Sequence, residues 1–291
     1  MNKSTKISTF RAIAGAVSAI LILIVSQIIA MAAGIGITAL GIPSAVGNIV
    51  SAFLYPLIAI AALKLLCEKL LKVSLSDCRI TRYRLKPVWV ISAFIMPAIV
   101  VGGLLLTKGH WENSEMNSEQ IADSVTTSVF IAGLAVGAVE EAVFRGVVMK
   151  ALEIRWNKWV AVIVPSVIFG AIHIIGGGMD IISFIQLVIA GSIVGILFSL
   201  AAYESGSVWS GAFMHSIWNM FMASGILNIG TEPSETNIFN YVLETDSNLI
   251  SGGDFGAEAS VISIGAYLIF TILAIFLIKK KAEFKQERAG K

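Results

Sequence analysis

Charged side chains are scarce in this chain of 291 residues. Asp, Glu, Lys and Arg together supply 14% of it, roughly half of their share in an average soluble protein, whereas hydrophobic residues supply 56%. A soluble protein of this length needs a more polar exterior than these residues can cover. The mean hydropathy of +0.84 agrees with this deficit. The composition therefore predicts an integral membrane protein surrounded by a lipid bilayer.

Cysteine, proline and several common motifs are also rare or missing. The two cysteines, Cys67 and Cys78, are too few for a disulfide scaffold. Six prolines and no low-complexity tract exclude a fibrous or disordered chain. A formal net charge of +2 is no signature of nucleic-acid binding. The sequence lacks a Walker A loop, a dinucleotide-binding fingerprint and a metal-binding cysteine cluster. We therefore expect no nucleic acid among the partners.

Long runs without charge divide the chain into predicted membrane spans. No charged residue occurs between Arg11 and Lys64, and glycines together with Pro43 break this stretch into two. Because backbone polar groups must be satisfied internally in hydrocarbon, such runs predict transmembrane helices. The predicted spans are 12–33, 44–63, 87–107, 124–149, 159–179, 181–203, 205–231 and 259–278. The sequence thus predicts an all-α, polytopic protein with about eight transmembrane helices in a single membrane domain, residues 1–291.

The distribution of charges tests this count independently. When eight spans alternate across the membrane, 19 of the 21 Lys and Arg residues fall on one face, together with both termini. The opposite face receives only Lys108 and most of the acidic residues, and Arg145 lies inside a span. The positive-inside rule then predicts a multi-pass protein of the cell membrane with both termini in the cytosol. The acidic segment 227–258 is predicted to be a solvated outer loop.

Three ionisable residues lie inside the fourth span, where charges are costly and usually functional. Glu141 and Arg145 are four residues apart, so they share a helix face and can form an ion pair. Glu140 lies ~100° around the helix from Glu141 and has no neutralising partner. A purely structural ion cluster would account for Glu141 and Arg145 but not for Glu140. An unpaired carboxylate in an apolar site is typical of a general base.

Two of the three histidines also fall in or at the end of predicted spans. His173 follows Phe169 by four residues, and His215 precedes Asn219 by four. A single histidine in a membrane helix is more often structural than catalytic. Counted at ~1.5 Å per residue from the cytosolic ends, these polar residues and Glu140 lie within about 10 Å of one another in height. The sequence therefore predicts that they converge on a watery cavity. Gly137 and Gly191, each in a glycine pair spaced by four, are predicted to allow close helix packing.

The motifs Glu-Glu-x-x-x-Arg, Phe-x-x-x-His and His-x-x-x-Asn, in this order on an eight-span chain, resemble those of the CPBP family. This family comprises the type II CAAX prenyl endopeptidases and the bacteriocin-processing and immunity proteins, also called the Abi family. The resemblance covers residues 124–226, spans four to seven, as a CPBP-like catalytic core. It implies a conical intramembrane cavity and the hydrolysis of a peptide bond. The substrate would be a membrane-bound peptide or protein, with or without a lipid anchor.

The resemblance also implies roles for the motif residues. Glu140 and His173 would activate water, while His215 and Asn219 would stabilise the oxyanion. Glu141 and Arg145 would support the site by holding the fourth span and tuning Glu140, and Phe169 completes the second motif. These roles agree with the need of an amide hydrolase for a base and for donors to the developing oxyanion.

Two alternatives remain open at the level of sequence. Glu140, His173 and His215 could supply the three protein ligands of an open catalytic zinc site. The sequence lacks the His-Glu-x-x-His motif and any other local ligand pair, so we favour a metal-free glutamic mechanism without a cofactor. The second alternative is a non-enzymatic membrane protein: a proton-coupled transporter, a bacteriocin immunity scaffold with a degenerate cavity, or a receptor or regulator partner without turnover.

Overall fold

The computed structural model of the protein describes residues 7–174 and 178–289, and this part of the chain is mostly helical. Eight of its helices correspond in order to the eight hydrophobic runs of the sequence. They are α1 (Thr9–Ala39), α2 (Ser44–Leu71), α3 (Pro87–Leu105), α4 (Ser118–Arg155), α5 (Lys158–Ile172), α6 (Ile181–Ser205), α7 (Trp209–Met222) and α8 (Val261–Ala289).

Six of these helices are long and apolar enough to cross a membrane. The other two are α5, with 15 residues, and α7, with 14. Both are shorter than the roughly 20 residues that cross a hydrocarbon core of about 30 Å. The prediction of a polytopic membrane protein is confirmed. By length and composition the helices support six spans, so the count of eight stays a prediction.

The helices begin and end where the local sequence favours it. The side chain of Ser8 caps α1, and that of Asn117 caps α4 within a capping box. Asp180 caps α6 by accepting hydrogen bonds from the first backbone N–H groups of that helix. Between α1 and α2 the chain turns at Gly41, which has a φ of 85°, and at Pro43.

A small three-stranded sheet lies in the loops, which the all-α prediction omits. Its strands are β1 (Gly109–Asn113), β2 (Leu227–Gly230) and β3 (Phe239–Leu243), in the order β1-β3-β2. β1 pairs with β3 antiparallel, with Gly109 opposite Leu243, and β2 pairs with β3 parallel. The segment predicted to be a solvated outer loop therefore contains two strands.

The end of the helix bundle that carries this sheet is called the sheet end below. Because β1 connects α3 to α4 and pairs with β3, which lies between α7 and α8, these four helices meet there. Near the start of α2, the amide of Asn48 donates to Asp123 Oδ1 of α4 at 3.0 Å. The backbone N–H of Asp180, which caps α6, donates to Asp254 Oδ2 at 2.8 Å.

The opposite end of the bundle is called the basic end. There, Arg155 Nε at the end of α4 donates to Thr9 Oγ1 at the start of α1, at 2.8 Å. Lys281 Nζ of α8 donates to the carbonyl of Glu204 near the end of α6, at 2.6 Å. Consecutive helices therefore run in opposite directions between the two ends, and the loops rich in Lys and Arg gather at the basic end.

Small residues let two helix pairs approach closely. A methyl group added at Gly191 of α6 would lie 2.5 Å from Cα of Gly170 in α5. One added at Gly137 of α4 would lie 3.0 Å from the backbone N of Ser216 in α7. These contacts confirm the close packing predicted for the glycine pairs. The second contact brings the Glu140–Glu141 turn of α4 beside His215.

Large hydrophobic side chains cover the outside of the bundle. Examples with more than half of their surface exposed are Ile28, Phe53, Ile91, Ile185 and Ile272. Soluble proteins rarely expose so much contiguous apolar surface, whereas a bilayer covers it.

Candidate active site

A cavity of about 230 Å³ lies among α4, α5, α6, α7 and α8. The ionisable and amide side chains that line it are Glu140, His173, His215, Asn219, Glu258 and Tyr267. The four predicted catalytic residues, from three helices, therefore line one cavity, and Phe169 lines it as well. The cavity reaches the sheet end, because His173 follows α5 there and Glu258 precedes α8.

The helix α4 directs two neighbouring glutamates to different places. The turn Gly137–Glu141 is α-helical and lies between two π-helical stretches, Thr127–Val136 and Ala142–Val148. Such π-helical distortions are frequent at functional sites. The side chain of Glu141 is fully buried, whereas 16% of the Glu140 side chain is exposed. Glu140 is therefore the glutamate that a ligand in the cavity can reach.

Glu141 and Arg145 form the ion pair predicted from their spacing. Arg145 Nη1 lies 2.9 Å from Glu141 Oε1, and both side chains are buried almost completely. The guanidinium also lies over the ring of Phe169, at 4.4 Å from its centroid, and near the ring of Phe198 at 5.5 Å. Aromatic faces stabilise a desolvated cation, so these two rings help Arg145 to remain charged where solvent cannot reach it.

The ring of His215 has its orientation fixed by Glu141. His215 Nδ1 lies 3.2 Å from Glu141 Oε1, and because a carboxylate only accepts, Nδ1 carries a proton. The ring stacks on Phe198, with centroids 5.2 Å apart and planes at 23°. His215 Nε2 then lies 3.7 Å from Glu140 Oε2, which is too long for a hydrogen bond. Glu141 thus orients His215 as well as pairing with Arg145, which the sequence did not reveal.

His173 is oriented by its own helix. It caps the C-terminus of α5, and its Nδ1 lies 2.6 Å from the carbonyl oxygen of Phe169. Because a carbonyl only accepts, Nδ1 carries a proton, and Nε2 of the neutral ring is an acceptor. The Phe-x-x-x-His motif thus has a physical reason, since the residue one turn earlier supplies both this carbonyl and a ring that packs against the imidazole.

Asn219 and Glu140 retain hydrogen-bonding capacity for a ligand. Asn219 Nδ2 donates one hydrogen bond to the carbonyl of Ala132 in α4 at 2.9 Å, which fixes the amide and leaves its second N–H group. Glu140 Oε2 makes no hydrogen bond to any residue in the described part of the chain. The cavity therefore offers a carboxylate acceptor on one side and an amide donor on the other.

Glu258 is a cavity residue that sequence reasoning missed. The segment that carries it turns at Gly252, Gly253 and Gly256, which have φ values of 89°, 61° and 88°. The backbone N–H of Asp254 donates to Ser183 Oγ of α6 at 3.0 Å and ties this segment to the bundle. No local pattern distinguishes Glu258 from the other acidic residues of the predicted outer loop, so it could not be identified from the sequence.

The carboxylate of Glu258 is partly buried beside the predicted catalytic residues. Trp218 Nε1 donates to Glu258 Oε2 at 2.7 Å, and the hydroxyl of Tyr267 donates to the Glu258 carbonyl at 3.1 Å. Burial raises the pKa of the Glu258 carboxyl above its ordinary value of 4.5, and the Trp218 hydrogen bond opposes this rise. Glu258 Oε1 makes no hydrogen bond within residues 7–174 and 178–289, so it can accept one from a ligand.

The cavity residues are also the side chains that a metal ion would need as ligands. Within the described residues, no three His, Cys, Asp or Glu side chains are grouped closely enough to hold one. Glu140 and His215 approach each other to 3.7 Å, and the nearest partners of the His173 ring are Phe169 and Phe255.

Residues 122–221 match the model of a protein family described as type II CAAX prenyl endopeptidase Rce1-like. The predicted resemblance to the CPBP family is confirmed. Comparisons with curated proteins and with solved structures give no match. The Rce1-like region contains every predicted site residue from Glu140 to Asn219, and it runs from the first turns of α4 to the last turn of α7. Glu258 and α8 lie outside it.

Proposed function

We propose that the protein is an intramembrane endopeptidase that hydrolyses a peptide bond of a membrane-associated peptide or protein, with or without a lipid anchor. The observation that carries this proposal is the convergence of the four predicted catalytic residues on one cavity, within the Rce1-like region. Hydrolysis of an amide needs a base for water and donors for the oxyanion. This cavity offers both kinds of group.

In the proposed reaction Glu140 is the base. Its carboxylate removes a proton from a water molecule as the water oxygen attacks the carbonyl carbon of the substrate. His173 Nε2 accepts the second hydrogen of this water and so directs its lone pair towards the carbonyl. Oε2 of Glu140 makes no hydrogen bond in the described part of the chain, so this oxygen can accept the proton.

The tetrahedral intermediate carries a negative oxygen, which His215 and Asn219 stabilise. The free amide hydrogen of Asn219 is one donor, and Nε2–H of the His215 ring is the other. Glu141 holds that ring in place, because its carboxylate accepts from Nδ1–H at 3.2 Å. When the intermediate collapses, the carbon–nitrogen bond breaks and Glu140 returns its proton to the leaving nitrogen. The products are an amine and a carboxylic acid, which releases its proton to water and leaves as a carboxylate.

Cleavage of peptides by the purified protein tests this proposal. We expect the parent protein in detergent to cleave members of an internally quenched peptide library and Glu140→Gln to lose at least about 10²–10⁴-fold in turnover. Glu112→Gln, which removes an exposed carboxylate on β1, is the matched control and should cleave at the parent rate. Equal turnover by Glu140→Gln and the parent, or no cleavage of any peptide, would contradict the proposal. A transporter or an immunity scaffold would give the second result.

A chelator separates the glutamic mechanism from a zinc mechanism using the same residues. We propose that no metal takes part, because catalysis in the scheme above needs only Glu140 and donors from the protein. Activity should then survive prolonged treatment with a strong chelator, and metal analysis should find no stoichiometric zinc. Loss of activity that added zinc restores would establish the metalloenzyme instead.

We also propose that residues 1–291 form one membrane domain with the catalytic core 124–226, eight spans and both termini in the cytosol. The basic loops at one end of the bundle support this orientation in the cell membrane. Ser76→Cys, exposed at the basic end, should react with an impermeant maleimide only in inside-out vesicles. Gly230→Cys at the sheet end should react only in right-side-out vesicles, and the reverse pattern would overturn the topology. The native cysteines are both buried.

A further inference from the structure

A groove of about 340 Å³ runs along β2 at the sheet end and lies next to the cavity. One wall is formed by β2, and the other is formed by the segment 255–258 that precedes α8. Phe255 and Glu258 line both the groove and the cavity. A peptide lying in the groove would therefore contact residues that also line the cavity.

The groove follows the free edge of the sheet. In the order β1-β3-β2, the strand β2 has a partner on one side only within the described residues. All four residues of β2 line the groove and no residue of β3 does, while Thr236 and Asn237, just before β3, close one end of it. A free strand edge presents unpaired backbone N–H and C=O groups, which an extended peptide can pair with.

The sheet end is strongly acidic. Its loops and first helical turns carry eleven acidic residues, from Glu112 to Glu258, and only one basic residue, Lys108. The charge of Lys108 is already engaged, because its Nζ lies 2.6 Å from Glu244. Such a field attracts positively charged ligands and repels negatively charged ones.

Glu258 is the acidic residue that connects this field to the site. It is the one ionisable side chain that lines both the groove and the cavity among the described residues. Trp218 holds its Oε2, which fixes the position of the carboxylate, while its Oε1 is available to a ligand. A basic side chain in the groove would find there a partly desolvated, oriented carboxylate, which is the strongest kind of partner for it.

We propose that the groove along β2 binds the substrate as an extended, positively charged peptide segment, and that Glu258 selects a basic side chain close to the bond that is cut. The inference rests on the proposed function and adds a substrate class to it. Glu258 acts here as a specificity-determining residue and takes no part in activating water.

The charge preference is tested with quenched decapeptides that differ at single positions. Each position is occupied in turn by Lys, by uncharged norleucine, which keeps the aliphatic length, or by Glu. For the parent protein we expect kcat/KM at one position close to the cut to be at least about tenfold higher for Lys than for norleucine, and lowest for Glu. Glu258→Gln should bring the Lys and norleucine values within about twofold of each other. Glu112→Gln, which removes a carboxylate from the opposite edge of the sheet, should keep the parent preference.

Strand pairing is tested with the preferred peptide carrying single N-methyl groups. Backbone N–H groups of a strand point alternately to either side, so methylation at every second position should abolish cleavage while methylation at the positions between should be tolerated. If methylation were tolerated equally at all positions, binding along the strand edge would be overturned. The role of Glu258 would be overturned by a preference for neutral or acidic peptides, or by a preference for Lys that persists in Glu258→Gln. In either case continued cleavage that depends on Glu140 would show that the proposed function itself holds.

Discussion

At the scale of single residues, two adjacent glutamates differ because of the helix that carries them. The side chain of Glu141 points into the bundle and contacts both Arg145 and His215, whereas that of Glu140 borders the cavity. The angle of ~100° between successive residues of a helix is enough to separate the two environments. A carboxylate fixed by an ion pair and one that borders the cavity can thus be neighbours in the sequence.

The ion pair behind the site predicts a large effect on stability. Arg145→Ala leaves the buried carboxylate of Glu141 without its cation, which should lower the free energy of unfolding by about 3–5 kcal/mol. Thermal unfolding in detergent measures this, with the exposed Arg82→Ala as the control, which should change little. In the double variant Glu141→Leu/Arg145→Met, stability should partly recover but activity should not, because His215 has lost its acceptor. An Arg145→Ala variant with the stability and activity of the parent would contradict the role of the pair.

Glu258 predicts a dependence of stability on pH. Burial raises its pKa in the folded protein, so the folded state binds the proton more tightly than the unfolded state. Its unfavourable contribution is therefore absent below the ordinary pKa of 4.5 and grows as the pH rises from there towards the raised pKa. His173, His215 and Glu140 also act on this carboxyl, and the histidines oppose the shift.

The variant Glu258→Gln removes this titration and can keep the hydrogen bond from Trp218. Its melting temperature should exceed that of the parent at pH 7.5, and the difference should shrink as the pH falls to 4.5. Scans of Glu112→Gln over the same range provide the control for a simple loss of surface charge. If the difference in melting temperature between Glu258→Gln and the parent stayed constant with pH, burial would not raise the pKa of Glu258.

At the scale of elements, the contact between α4 and α7 sets the distance from Glu140, the proposed base, to the proposed oxyanion donors His215 and Asn219. A methyl group at Gly137 would lie 3.0 Å from the backbone N and 3.1 Å from Cα of Ser216, atoms that cannot rotate away. The two helices must therefore separate by a few tenths of an ångström in Gly137→Ala. The shift moves Glu140 relative to His215 and Asn219.

Small displacements of catalytic groups are costly, so we expect Gly137→Ala to lose about tenfold or more in kcat. Gly102→Ala in α3 is the matched control, since a methyl group there has no neighbour within 4 Å. Gly102→Ala should leave activity unchanged. Because alanine has a higher helix propensity than glycine, this variant should also be slightly more stable. If both variants turned over substrate at the parent rate, the close approach of α4 and α7 would not control the site.

The helices could be predicted from the sequence, whereas the sheet could not. A hydrophobic run and its caps are local features, so each predicted span has a helix in the structure. The pairing of β1 with β3 joins Gly109 to Leu243, and strands of four or five residues leave little periodic signal. The segment 227–258 is polar, and its composition is that of a loop even where it forms strands.

At the scale of the whole molecule, the depth of the site residues could be predicted but their mutual orientation could not. The fixed rise of a helix placed Glu140, His173 and His215 at similar heights, and all three line one cavity. Their rotation about the helix axes depends on packing, so the contact between Glu141 and His215 emerged only in three dimensions. Glu258 approaches the cavity through a glycine-rich loop, whose path no helical geometry determines.

The shortness of α5 and α7 has a consequence for the surrounding lipid. At ~1.5 Å per residue these helices, which carry His173, His215 and Asn219, are only about 20 Å long, against about 30 Å of hydrocarbon. Such hydrophobic mismatch is relieved when the bilayer thins locally, which would bring headgroups and water nearer to the scissile bond. Proteoliposomes of graded acyl-chain length should then show turnover that declines as the chains lengthen, at equal protein incorporation. Turnover independent of thickness would mean that the neighbouring longer helices shield these two from the lipid.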